Sequence, residues 1–162
     1  YLLYVDKKTG LPNREKLNIY IGEMAGKVLP EAFTCFTLSL DNLSELTKRF
    51  GYTVGDGVLK DFAGLVQLMG DTEGMRGYNG VGRFVVFFEE CSSKKAAAMI
   101  RILDNQVEEY NSLNPEYPIR YTAAWATTEE TDTYEIRELL RLSQKKWKQM
   151  EKEKKDKTEE GT

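Results

Sequence analysis

Along the chain, apolar positions recur first at helical spacing, then in alternation, then at helical spacing again. Leu11-Pro12-Asn13 opens the first helix with Asn13 as N-cap, and Leu17, Tyr20, Ile21, Met24 and Val28 mark its inner face until Pro30 ends the segment. From Phe33 to Asp41 the pattern alternates. Phe36, Leu38 and Leu40 face one way, while Cys35, Thr37, Ser39 and Asp41 face the other, toward a site or toward solvent. Two helical stretches follow, one marked by Leu43, Leu46 and Phe50, the other running from Val54 through Val58, Leu59, Phe62, Leu65, Val66 and Met69 to Gly70. The glycine-rich run Gly51 to Gly57 reads as the break between them.

Residues 75–90 read as a β-hairpin turning at Asn79-Gly80, with Phe84 to Phe88 as its β-rich second arm. Ser92 caps a helix through Met99, Leu103, Val107 and Tyr110, and Tyr117 to Thr127 is the fourth strand. Asp132 and Glu135 stand at capping-box spacing before a last helix that turns Ile136, Leu139, Leu140, Ser143, Trp147 and Met150 inward. Beyond Glu151 the pattern dissolves into Lys and Glu, which predicts a frayed, solvated end. The order predicts an α+β fold with a ferredoxin-like β-α-β-β-α-β core, an extra helix after the first strand, and a mostly antiparallel sheet flanked by helices.

Composition narrows the chemistry. The chain has 162 residues, enough for one domain with its own core, and is 41% hydrophobic and 30% charged. With no His there is no Ser-His or Cys-His nucleophile pair and no histidine-ligated zinc. The two cysteines, Cys35 and Cys91, are too few and too far apart for a zinc knuckle or a disulfide framework, and Cys35 reads as a buried thiol. The apolar run Phe84 to Phe88 is too short to span a bilayer, and no signal-like segment opens the chain. The net charge of −3 argues against general nucleic-acid binding. Metal chemistry, if any, would fall to carboxylates. The first residue is Tyr1, which leads to the expectation of a piece from a longer protein, with residues 1–5 as the end of a linker.

Three stretches then match a known pattern. Residues 6–14, D-K-K-T-G-L-P-N-R, resemble the D-x-L-T-G-L-P-N-R opening motif of GGDEF domains, the diguanylate cyclases, with Lys8 replacing Leu. Residues 38–59 resemble the family's D-x-D-x-F-K-x-x-N-D-x-x-G-H-x-x-G-D-x-x-L, with Tyr52 in place of its His. Gly80-Val81-Gly82-Arg83-Phe84 stands where the GGDEF signature belongs. The resemblance covers residues 6 to about 150 and implies a nucleotidyl cyclase-type fold, a GGDEF-like domain over 6–152 and a charged, disordered tail over 153–162.

Members of that family condense two GTP into cyclic di-GMP across a dimer, with two metal ions. Mg²⁺ demands hard oxygen ligands, and the metals neutralise charge as the 3′-oxygen attacks. Residue by residue the resemblance implies a lost site. The first-strand metal Asp corresponds to Ser39, the third signature position to Gly82, and the fourth-position Glu to Arg83. Asp41 survives, though in the family it is not the main metal ligand. The guanine-binding Asn corresponds to Thr47, which has fewer hydrogen-bonding groups, while the guanine-binding Asp is kept as Asp56. Asp56 also suits a turn or a helix start on its own account. Ser44 and Glu151 replace two phosphate-contacting lysines, and Lys155 stands near a second basic contact. The inhibitory R-x-x-D corresponds to Asp71-Thr72-Glu73-Gly74, so no inhibitory site is expected.

Rival readings fit less well. A Gly-rich phosphate loop needs a helix after it, and here a strand follows Gly82. The aromatics after Arg83 resemble the stacking strand of an RNA-recognition module, but read better as core. The lysines from Lys145 to Lys157 are offset by Glu151, Glu153 and Asp156. The expectation is a degenerate domain without cyclase activity in a bacterial, cytoplasmic signalling protein or the cytoplasmic part of a membrane-anchored sensor. It would act by regulation, dimerisation or nucleotide sensing, with no cofactor. Expected partners are GTP or another guanine nucleotide, neighbouring domains, and a second GGDEF domain as homodimer or heterodimer, with no nucleic acid and no membrane contact. The alternative is an active cyclase that holds Mg²⁺ with displaced carboxylates at Asp41, Glu89 or Glu90.

Overall fold

The computed structural model describes residues 2–70 and 73–160. Asp71 and Thr72, half of the segment matched to the inhibitory motif, lie outside the described residues, as does Tyr1. A short 3₁₀ turn at Leu2–Tyr4 precedes α1 (Arg14–Met24), β1 (Thr34–Leu40), α2 (Leu43–Phe50) and α3 (Tyr52–Gln67). The hairpin β2 (Met75–Gly80) and β3 (Arg83–Phe88) comes next, then α4 (Ser93–Leu113), β4 (Tyr121–Thr127), α5 (Thr128–Thr131) and α6 (Ile136–Glu160). The sheet order is β2-β3-β1-β4 with every neighbouring pair antiparallel. This is the α+β arrangement expected from the element order.

Each sheet face has its own core, because alternate residues of a strand point to opposite sides. Phe36, Leu38 and Leu40 of β1 join Phe84, Val86 and Phe88 of β3 beneath α2, α3 and α4. Cys35 joins Val85, Phe87 and Ala126 beneath α1 and α6, whose Leu17, Ile21, Ile136 and Leu139 close that side. The helix starts follow local chemistry: Asn13 accepts from the Lys16 N–H and Ser92 from the Lys95 N–H.

Several expectations are corrected. On the polar face of β1, Cys35, Thr37 and Ser39 are buried beneath α6 and meet neither solvent nor an open site, whereas Asp41, just past the strand, is exposed and borders a cavity. Beneath α6 the polar groups are satisfied: Thr37 and Ser143 share a hydroxyl contact at 2.6 Å, and Cys35 Sγ lies 3.3 Å from Ser143 Oγ. Val28 lies beyond the end of α1 and is 85% exposed, while Leu29 is buried in its place. The break between α2 and α3 is Gly51 alone, at φ +91°, and Gly55 to Gly57 lie within α3. The hairpin turns at Val81-Gly82, with Gly80 opposite Arg83, because a register shift between Tyr78 and Gly80 moves Asn79-Gly80 into the strand. Asp132, at φ +52°, ends α5, and Glu135 caps α6 by accepting from the Glu138 N–H at 2.9 Å. Helix α6 continues to Glu160, where a disordered tail was expected from residue 153, and Met150 is 37% exposed, not inward.

Candidate functional site

The matched positions gather where β1 ends, beside the hairpin turn and under the middle of α6. Antiparallel register sets Ser39 opposite Arg83 of β3 on one side and Thr122 of β4 on the other. The Leu40 N–H donates to Gly82 O at 2.8 Å, and the Gly82 N–H donates to the Tyr78 hydroxyl at 2.8 Å, so the turn is held at both of its polar groups. The opening motif braces the same end. Asp6 accepts from the N–H and hydroxyl of Thr9, and Arg14 reaches Asn79 O at 2.5 Å across the hairpin bulge.

Around Ser39 the polar groups form a closed chain. Trp147 Nε1–H donates to Ser39 Oγ at 2.8 Å, and Ser39 donates to Asp41 Oδ1 at 2.6 Å. Thr122 donates to the other oxygen, Oδ2, at 2.5 Å, and itself accepts from Lys154 Nζ at 3.1 Å. Lys154 also donates to Tyr121 O at 2.7 Å. Both carboxylate oxygens of Asp41 are thus engaged by hydroxyls. The Arg83 guanidinium lies 4.8 Å from the centroid of the Trp147 ring, a cation–π contact that fixes a positive charge beside the chain.

This donor set does not suit a divalent cation. Mg²⁺ needs an octahedron of oxygens, drawn mainly from carboxylates and phosphates. The matched positions offer a serine hydroxyl, a glycine and a guanidinium, and the carboxylate left at Asp41 already accepts two hydrogen bonds. Among the described residues there is no group of three or more His, Cys, Asp or Glu side chains placed to hold a metal. Glu89 and Glu90, the displaced carboxylates of the alternative reading, follow the far end of β3. Six residues of strand put Glu89 about 20 Å from Arg83.

The guanine-side residues are also occupied. Thr47 donates its hydroxyl to Leu43 O of its own helix at 2.9 Å and packs against Gly55, where an added Cβ would collide with Thr47 Oγ1. Asp56 lies in the second turn of α3 and pairs with Lys8 Nζ at 3.4 Å. Lys8 is the residue that replaces Leu in the opening motif, so a departure from the pattern is in contact with the kept Asp56. The pair is half-exposed and worth less than about 1 kcal/mol.

Four residues at this end were not assigned from the sequence: Trp147, Thr122, Lys154 and Arg120. Trp147 follows Ser143 at i+4 on the buried face of α6, a spacing that was legible, but its partner Ser39 lies more than a hundred positions away. Thr122, Lys154 and Arg120 carry no local signal. With Asp41 and the N-terminal end of α2 they border a cavity of about 740 Å³ between β4 and α6.

Comparisons with known proteins agree with this architecture. The family model for the diguanylate cyclase GGDEF domain matches residues 3–157. A diguanylate cyclase/phosphodiesterase structure from Caldicellulosiruptor saccharolyticus superposes with a TM-score of 0.73 at 19% identity, covering 94% of this chain and 89% of that one. The FimX GGDEF domain of Pseudomonas aeruginosa gives 0.71 at 18% identity over 88% of this chain and 90% of its own. The Vibrio cholerae LapD S helix-GGDEF-EAL structure bound to c-di-GMP gives 0.63 at 14% identity, and there 78% of this chain matches only 29% of the other. No curated protein sequence matches. Among the described residues no helix is long and apolar enough to cross a membrane. By its profile and its fold, this chain belongs to the GGDEF domain family.

Proposed function

We propose that this chain is a degenerate GGDEF domain that makes no cyclic di-GMP and serves as a regulatory, dimerisation or nucleotide-sensing module of a larger cytoplasmic signalling protein. The observation that carries the reading is the set Ser39, Gly82 and Arg83 at the positions where the family holds its metal. Condensing two GTP requires charge neutralisation at the phosphates as the 3′-oxygen attacks, and carboxylate-held metals supply it in the family. Here those carboxylates are gone, and Asp41 spends its lone pairs on Ser39 and Thr122. The multidomain reading draws support from LapD, in which a domain of this fold occupies a minor part of a longer chain.

The reading is tested by incubating the purified protein with GTP and either Mg²⁺ or Mn²⁺ and assaying for cyclic di-GMP. No product is expected at any enzyme concentration that allows an active domain to be detected. Product formed by this chain and lost on substitution of Asp41 would overturn the reading in favour of a cyclase with displaced ligands.

A further inference from the structure

The two edges of the sheet are closed in different ways. At β2 the opening segment and α1 cover the strand: the Tyr78 N–H donates to Pro12 O at 2.9 Å, and Arg14 donates to Asn79 O. At β4 no backbone does so. The Asp41 N–H donates to Arg120 O, and the register continues by pairing Ser39 with Thr122 and Thr37 with Ala124. Even-numbered residues of β4 therefore bond to β1, while Tyr121, Ala123 and Trp125 turn their backbone groups outward. Among the described residues no backbone partner reaches these outward groups.

Side chains take that place. Lys154 Nζ donates to Tyr121 O at 2.7 Å, Lys146 Nζ to Trp125 O at 3.1 Å, and the Thr131 hydroxyl to Thr127 O at 2.7 Å. The two lysines match the strand because α6 runs antiparallel beside it. Eight residues of helix and four of strand both span about 12–13 Å. An unpaired edge is a template for another strand, and lysines placed on it block that pairing.

A second copy of this chain fits the edge. A two-fold axis at Ala124 sets Ala123 against Trp125 and Tyr121 against Thr127 of the other copy, and each of these residues presents outward groups, so the ladder is self-complementary. Between the lysines, a hollow of about 330 Å³ lined by Ala124, Trp125 and Met150 lies along the edge. Pairing would break both lysine bonds in each copy and crowd four ammonium groups into one seam. Glu153, the acid that lines the hollow, leaves that seam with two lysines for each carboxylate.

We propose that β4 is a self-pairing edge held shut by Lys146 and Lys154, and that loss of their charge joins two copies through one continuous sheet. Because the β2 edges are covered, association stops at a single doubling. The inference goes beyond the function proposed above and uses neither the metal nor the guanine positions.

The test compares the parent with Lys146→Gln/Lys154→Gln, substituted at exposed helix positions where glutamine keeps helix propensity. Mass is read by sedimentation equilibrium and the edge by amide hydrogen exchange at several protein concentrations. The glutamine protein is expected to double in mass at a concentration about tenfold or more below any at which the parent does so. As it doubles, the outward N–H groups of Ala123 and Trp125 should gain protection. Lys146→Arg/Lys154→Arg keeps the charges and the donors and should match the parent. Equal association of the parent and glutamine proteins, doubling that leaves these two N–H groups unprotected, or growth beyond a single doubling would each overturn the inference. So would a parent protein that protects them as its own concentration rises. None of these results touches the cyclic di-GMP assay, so the edge and the inactive-domain reading fail separately.

Discussion

Val81 stands at the tip of the β2–β3 hairpin in a conformation poorly suited to a β-branched residue. The turn is a two-residue loop, with φ at +54° for Val81 and +75° for Gly82, and Gly80 pairs with Arg83 across it. Positive φ at both central residues defines the type I′ turn that matches strand twist. An L-residue in the left-handed region costs about 1–2 kcal/mol, and a branched side chain is among the worst placed there. Val81 is 85% exposed, so truncating it gives up almost no burial. Against the relieved strain stands the extra freedom of glycine in the unfolded chain, about 0.4–1 kcal/mol. The balance predicts that Val81→Gly stabilises the domain by roughly 0.5–1 kcal/mol. For a chain of this size, that is a rise in Tm of about 1–4 °C. Urea unfolding followed by circular dichroism should show a higher midpoint at unchanged m. The neighbouring substitution Gly82→Ala should go the other way, since a Cβ there takes up the same strain and meets Leu40 O at 3.1 Å. A Val81→Gly protein that melts below the parent, or a Gly82→Ala protein that melts above it, would refute the turn assignment.

Three further outcomes follow from the packing. Gly74→Ala should destabilise by about 1–3 kcal/mol in urea titration, because its Cβ would lie 2.5 Å from the Phe88 ring and 2.8 Å from Phe87 O; an unchanged midpoint would contradict this close approach. Trp147→Phe removes the donor to Ser39 Oγ and one side of the Arg83 contact, and should cost about 1–2 kcal/mol by the same measurement, with no loss expected if the indole N–H were solvated. Burial pushes the Cys35 thiol up to about 12, so the native thiol should resist a disulfide reagent at pH 8 that labels it fully in urea. The same shift fixes a sign. Between the unfolded thiol pKa near 9 and the native value, the folded chain holds the extra proton, so this group's contribution is complete below pH 9 and is lost as pH rises toward 12. Each unit of that range removes up to about 1.4 kcal/mol, and alkaline denaturation curves of the parent and Cys35→Ala should differ accordingly.

Element order and type were legible in the sequence because they rest on local chemistry. Period-2 and period-3.6 apolar patterns set the strands and helices, and Asn13 and Ser92 cap their helices by bonds within three residues. The residue types at the matched positions were legible for a different reason. A missing functional group at Ser39, Gly82 or Arg83 needs no geometry to be recognised once a motif fixes the register.

What only the tertiary structure decided are the partnerships between distant residues. Alternation separated the two faces of β1 but could not say that α6 covers the polar one, because Thr37–Ser143 and Ser39–Trp147 are contacts across more than a hundred positions. The Asn79-Gly80 signal was real as local turn chemistry, yet strand pairing and the bulge after Tyr78 moved the turn two residues on. Lys8 meets Asp56 and Arg120 shares a cavity with Lys157 only because the sheet brings their elements together. Sequence by itself determined which side chains this domain has and lacks; packing determined which of them are already spent on one another.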